Sequence, residues 1–100
     1  MKDHIYNSKG AIVYLDVNRQ PKLHIPEGSI VKKVLSVGVH QELKPVATIQ
    51  EPGGPVCYIL PDGYIGWCSA CVQMAHAGTN VFPSEVVFSK LNGQYFADIL

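Results

Sequence analysis

Turn-forming clusters recur along the whole chain, at Asn7-Ser-Lys-Gly10, Pro26-Glu-Gly-Ser29, Glu51-Pro-Gly-Gly-Pro55, Pro61-Asp-Gly63 and Asn92-Gly93. Proline presets φ for the first corner of a turn, and glycine takes the positive φ that costs other residues energy, so each cluster ends one element and starts another. The runs between them are short and rich in Val, Ile, Tyr and Phe, which suit a half-buried pleated surface. Many short strands at close spacing predict a small all-β fold, a barrel or sandwich.

Ile5-Tyr6 and Ala11 to Val17 flank the first cluster and read as a hairpin. Leu23 to Ile25 is a brief extended piece, Ile30 to Val37 a strand, Gly38 to Pro45 a polar loop around His40, and Val46 to Ile49 another strand. Val56 to Leu60 and Tyr64 to Cys68 read as a central hairpin about Pro61-Asp62-Gly63. Helix-tolerant composition is confined to Ser69 to Ala77, enough for one or two turns, with Gly78 as the stop.

The last run predicts a second hairpin, because a type I′ turn needs positive φ at both central residues and Asn92-Gly93 supplies it. Pairing outward from that turn puts Val86, Phe88, Tyr95, Ala97 and Ile99 on one face. Val87, Ser89, Leu91, Gln94, Phe96 and Asp98 share the other. The chain of 100 residues is expected to be a single domain, with a barrel over about 11–77 and the added hairpin over about 85–100.

The residues Ile25 to Leu35 and Leu60 to Val72, taken together, resemble the bacterial SH3-like (SH3b) domain family. In that family a glycine-led, valine-rich strand is followed by an Asp-Gly-x-x-Gly-Trp hairpin and a short helical turn. The likeness covers roughly Ile12 to Val72. It implies an SH3-like β-barrel with one short helical turn, acting as a non-catalytic binding or assembly module for a protein or peptide partner. SH3-like domains commonly bind over aromatic side chains between loops, which would make Tyr58, Tyr64 and Trp67 the ligand-binding residues, with Tyr14 nearby. The Ala-Leu-Tyr-Asp-Tyr and acidic-loop pattern of signalling SH3 domains is missing, so recognition of proline-rich peptides is not implied.

Charge narrows the partners. Eight basic residues balance eight acidic ones, leaving no basic excess for nucleic acid or an anionic membrane and little self-repulsion against homodimer formation. The first residues lack the apolar core of a signal peptide and no run approaches a membrane helix, so a soluble, cytoplasmic protein is expected. Three cysteines, an odd number, suit free thiols better than a disulfide framework.

Cys68-Ser-Ala-Cys71 offers two chemistries. A Trp-Cys-x-x-Cys string suits a thiol redox site only within a βαβ unit, and the 29 residues after Cys71 read as a hairpin instead. The same pair has the spacing of a zinc knuckle, with Cys57, His76, His40 and His24 as further ligands, but no second close Cys or His pair completes it. A small zinc- or thiol-dependent protein is therefore the alternative, and no cofactor is assigned. Hydrolytic motifs are lacking, so no catalytic residue is named and the chain is read as a non-enzyme.

Overall fold

A computed structural model describes residues 3–9, 12–40 and 44–100, with the side chains of 3 and 12–15 outside the description. The Asn7 to Gly10 loop and the expected role of Tyr14 lie partly or wholly outside the described residues. In chain order the elements are β1 (Asp3–Asn7), β2 (Ile12–Leu15), a 3-10 turn (Val17–Arg19), β3 (Gly28–His40), β4 (Pro45–Glu51), β5 (Gly54–Ile59), a second 3-10 turn (Asp62–Tyr64), α1 (Ile65–His76), β6 (Ser84–Leu91) and β7 (Gln94–Ile99). No described helix is long and apolar enough to cross a membrane.

The predominance of antiparallel strands follows the sequence pattern. Neighbours run β2-β1-β3-β4-β5, with β6 pairing β3 and β7 pairing β6. Among the described residues the sheet does not close into a barrel: β2, β5 and β7 each have one strand neighbour, and α1 lies against β3 and β4.

β3 organises the sheet because its 13 residues serve three partners. Val34 to Val39 pairs with β4 along one edge, while the other edge holds β6 against Gly28 to Val34 and β1 against Gly38 to His40. A register shift between Val34 and Ser36 leaves Leu35 as the extra residue of a β-bulge, which bends the strand between these two halves. Here the expected loop at Gly38 is corrected. The strand continues to His40 because both edges of Gly38 and Val39 are hydrogen-bonded ladders.

Gly38 also explains how tightly β1 sits. A Cβ there would lie inside contact distance of Ile5 Cγ2 and 3.1 Å from both the Tyr6 carbonyl oxygen and Val46 Cγ2. The glycine is required by close approach rather than by positive φ. Ile5, Val17 and Val46 form a small cluster on this face of the sheet, with Cys57 and Ile59 packed against it. Val17 was expected to end a strand. Instead it opens a 3-10 turn in which the Asp16 carboxylate accepts from the Asn18 N–H at 3.1 Å.

The opposite face carries the main core. Val37, Ala47 and Ile49 of the sheet meet Tyr64, Cys68, Cys71 and Val72 of the helical segment and Val86 and Phe88 of β6. Tyr64, Cys68, Cys71 and Val72 recur at i, i+4, i+7 and i+8, one face of a helix. This corrects the expected strand from Tyr64 to Cys68. Pro61 does not turn a hairpin: its carbonyl accepts from the Tyr64 N–H at 3.0 Å, starting a 3-10 turn that runs straight into α1. A proline at a helix start loses nothing, since that N–H would have no intrahelical partner.

α1 therefore spans 12 residues, longer than the short segment expected. Its end is as expected: Gly78 has φ +102°, and the Thr79 and Gly78 N–H groups donate to the Met74 and Ala75 carbonyls at 2.8 and 3.0 Å, a Schellman motif. The C-terminal hairpin matches its expected register, with Leu91 opposite Gln94 across Asn92 (φ +52°) and Gly93 (φ +78°).

Candidate functional site

Tyr64 and Trp67, two of the three residues expected to bind a ligand, come together with their rings 6.4 Å apart. Tyr64 is 1% exposed. Its ring meets Phe88 edge-on at 5.5 Å and Tyr95 at 5.3 Å, and its hydroxyl lies 3.1 and 3.0 Å from the Ser89 and Phe96 carbonyl oxygens. Trp67 is half-buried, edge-on to Phe88 at 5.7 Å and to Phe82 at 6.1 Å. Such aromatic pairs stabilise by about 0.5–1.5 kcal/mol each beyond area burial. Tyr64 thus pins the helical segment to the C-terminal hairpin and has no surface to offer. Tyr58 is half-buried on β5, opposite Ala47, and packs against the main core.

The thiols are separated by the sheet. Cys57 packs on the Ile5 and Val17 side, whereas Cys68 and Cys71, three residues apart on α1, face the main core. Among the described residues no three His, Cys, Asp or Glu side chains come close enough to hold a metal ion, and all three cysteines are free. Cys68 sits 4.0 Å from the Val46 carbonyl oxygen. His24 and His76 are exposed, and His40 is buried on β3.

Burial raises the thiol pKa of Cys68 well above its ordinary value, helped by Cys71, and pushes that of Cys71 from 9.0 up to about 11. Cys57 is also raised by burial, partly offset by its hydrogen bond with Thr48. These are protonated, unreactive packing groups near neutral pH, unlike the depressed thiols of redox sites. The unfolded thiols release protons near pH 9 while the folded Cys71 thiol holds its own to about 11, so deprotonation favours unfolding. The contribution is full below pH 9 and lost as pH rises through about 11. Thermal melts at pH 8, 9.5 and 11 are expected to show a falling midpoint, with Cys68→Ala/Cys71→Ala flattening the decline.

What the fold exposes is the outward side of the C-terminal three-stranded sheet. Val31 lies opposite Val87, and the hairpin places Phe96 and Leu91 on the same face. Val31, Leu91 and Phe96 are 55%, 54% and 45% exposed, and with half-buried Val87 they form an apolar diagonal across three strands. The hairpin alternation marked Leu91, Val87 and Phe96 as one face. Val31 joins them only through the pairing of β3 with β6.

The edge beside this face is open. The Leu100 N–H donates to the Glu85 carbonyl at 2.9 Å, which fixes the hydrogen-bonded pairs of the hairpin as 85/100, 87/98, 89/96 and 91/94. The N–H and C=O groups of Tyr95, Ala97 and Ile99 consequently point away from β6. Among the described residues no backbone partner meets them.

A separate groove of about 550 Å³ is lined by Asn18, Gln20, Lys22, Lys44, Asp62 and Leu60, among others. Its charged groups are of both signs and single out no ligand class. Comparison of the chain with protein-family models, with curated proteins and with solved structures found no match.

Proposed function

We propose that this chain is a non-catalytic binding or assembly module whose protein or peptide partner presents an extended segment to the free edge of β7. Main-chain hydrogen bonds to Tyr95, Ala97 and Ile99 would supply the pairing, and the diagonal of Leu91, Phe96, Val87 and Val31 would read the partner's side chains. One observation carries the reading: β7 lacks the lysines, prolines and bulges that ordinarily blunt an edge strand, with Asp98 its one charged residue, and the mixed face beside it exposes Val31, Leu91 and Phe96. The formal net charge of zero supports a protein partner over a nucleic acid or an anionic membrane surface. Three free thiols favour a reducing compartment, the cytoplasm.

Amide hydrogen exchange tests the proposal at single residues. In dilute protein the amides of Phe96, Asp98 and Leu100 are expected to exchange slowly and those of Tyr95, Ala97 and Ile99 rapidly. A heptapeptide of alternating Thr and Val, added in excess, is expected to slow the second set. Uniformly slow exchange in dilute protein, or no change on adding the peptide, overturns the reading.

A further inference from the structure

We infer that the extended segment is β7 of a second copy, joined antiparallel across a two-fold axis at Ala97, an inference that rests on the proposed edge pairing. The strand is its own complement in this register. Residues 95, 97 and 99 face the open edge, and a two-fold at Ala97 sets Tyr95 opposite Ile99 of the other copy and Ala97 opposite Ala97. Every outward N–H and C=O of the three residues then has a partner. Moving the axis to Phe96 brings the Asn92-Gly93 turn opposite Ile99 and leaves its groups without a strand partner. Moving it to Asp98 sets two carboxylates face to face, which opposes pairing.

On the outer face the Ala97 register puts Phe96 opposite Asp98 of the other copy, and the two Phe96 rings become diagonal neighbours within reach of each other. The two apolar diagonals then lie on one continuous sheet, across β3, β6 and β7 of each copy. A closed two-fold of this kind cannot propagate, because each copy uses its β7 edge once. Net charge does not oppose the contact, as eight basic residues balance eight acidic ones. A paired strand from Gln94 to Leu100 is much smaller than the roughly 20–30 residues a side of a standard interface, so the association is of a weak class and belongs at high protein concentration.

Light scattering on the full chain at ~100 μM is expected to give the mass of a dimer, falling to a monomer on dilution. Ala97→Pro removes an outward donor on an edge strand, a position where proline is tolerated, and is expected to give a monomer with unchanged circular dichroism. The register is read by cross-linking. An oxidised mixture of the Phe96→Cys and Asp98→Cys chains is expected to form a disulfide between positions 96 and 98 of different copies. Neither variant alone should link, since like positions lie about 8 Å apart, beyond the ~7 Å limit between bridged Cα atoms.

A monomer at ~100 μM overturns the inference. So does a dimer that Ala97→Pro leaves intact, or one in which Phe96→Cys links to itself. A monomer whose Tyr95, Ala97 and Ile99 amides are nonetheless slowed by the Thr-Val peptide overturns only the self-pairing and leaves the edge-binding function standing.

Discussion

Replacing Phe88 by Ala is expected to lower the unfolding free energy by about 3–5 kcal/mol. The side chain is fully buried on β6 and edge-on to both Tyr64 and Trp67, so its removal opens a cavity in the main core. Whole-domain stabilities run to about 5–15 kcal/mol, so this one truncation removes a large fraction of the total. Urea denaturation would show a lower midpoint at unchanged slope. Leu91→Ala in the same hairpin, on the exposed face, is expected to stay within roughly 0.5 kcal/mol of the parent chain. Equal effects at the two positions would mean that the inward and outward faces of β6 have been exchanged.

Gly38→Val is the second large effect, expected to destabilise by about 1–3 kcal/mol or more through overpacking. The added side chain must displace Ile5 and Val46, and also the carbonyl of Tyr6, which belongs to a paired strand and cannot swing away. Ile5→Ala in the Gly38→Val background is therefore expected to recover part of the loss and not all of it. A melting temperature unchanged by Gly38→Val would show that β1 does not lie as close to β3 as described. Gly63 behaves differently from the turn glycine it resembles in sequence. Its φ is not positive, yet a Cβ there would meet Tyr95 Cδ2 at 2.7 Å, so the restriction comes from the packed hairpin and not from the backbone.

Local chemistry explains which elements were legible in the sequence. Asn92-Gly93 permits few backbone conformations, and pairing outward from it gives the register and the two faces of the last hairpin; Val86-Val87-Phe88 and Tyr95-Phe96-Ala97 do not alternate, so which face turns inward is set by the core. Pro61-Asp62-Gly63 is ambiguous by comparison, since the same residues can turn a hairpin or open a helix. The decision rests on Tyr64, Cys68, Cys71 and Val72 sharing a helical face against β3, a tertiary preference that outweighs the weak helix propensity of Gly66 and Ile65. Tyr64 followed the same decision. At a hairpin tip it would face solvent, and as the residue before α1 it faces the core.

The candidate site divides along the same line. Leu91 and Phe96 could be read as sharing one face from the hairpin pairing alone, whereas Val31 becomes their neighbour through a pairing between strands far apart in the chain. Trp67 beside Gly66 fits either a ligand platform or a core position, and only the surrounding rings of Phe82 and Phe88 separate the two.

The division of one β3 edge between β1 and β6 also sets the order in which the protein can be finished. During synthesis the N-terminal half of β3 has no partner on that side until Ser84 to Leu91 has emerged, so the central strand is completed by a segment made more than forty residues after it. Joining such distant segments requires the intervening chain to be ordered before the contact rewards it, which places folding nearer the millisecond-to-second range of β-rich domains than the microseconds of helical bundles. A nascent chain halted before Ser84 would leave bare the edge of β3 from Gly28 to Val34, a template for mispairing with another unfinished copy.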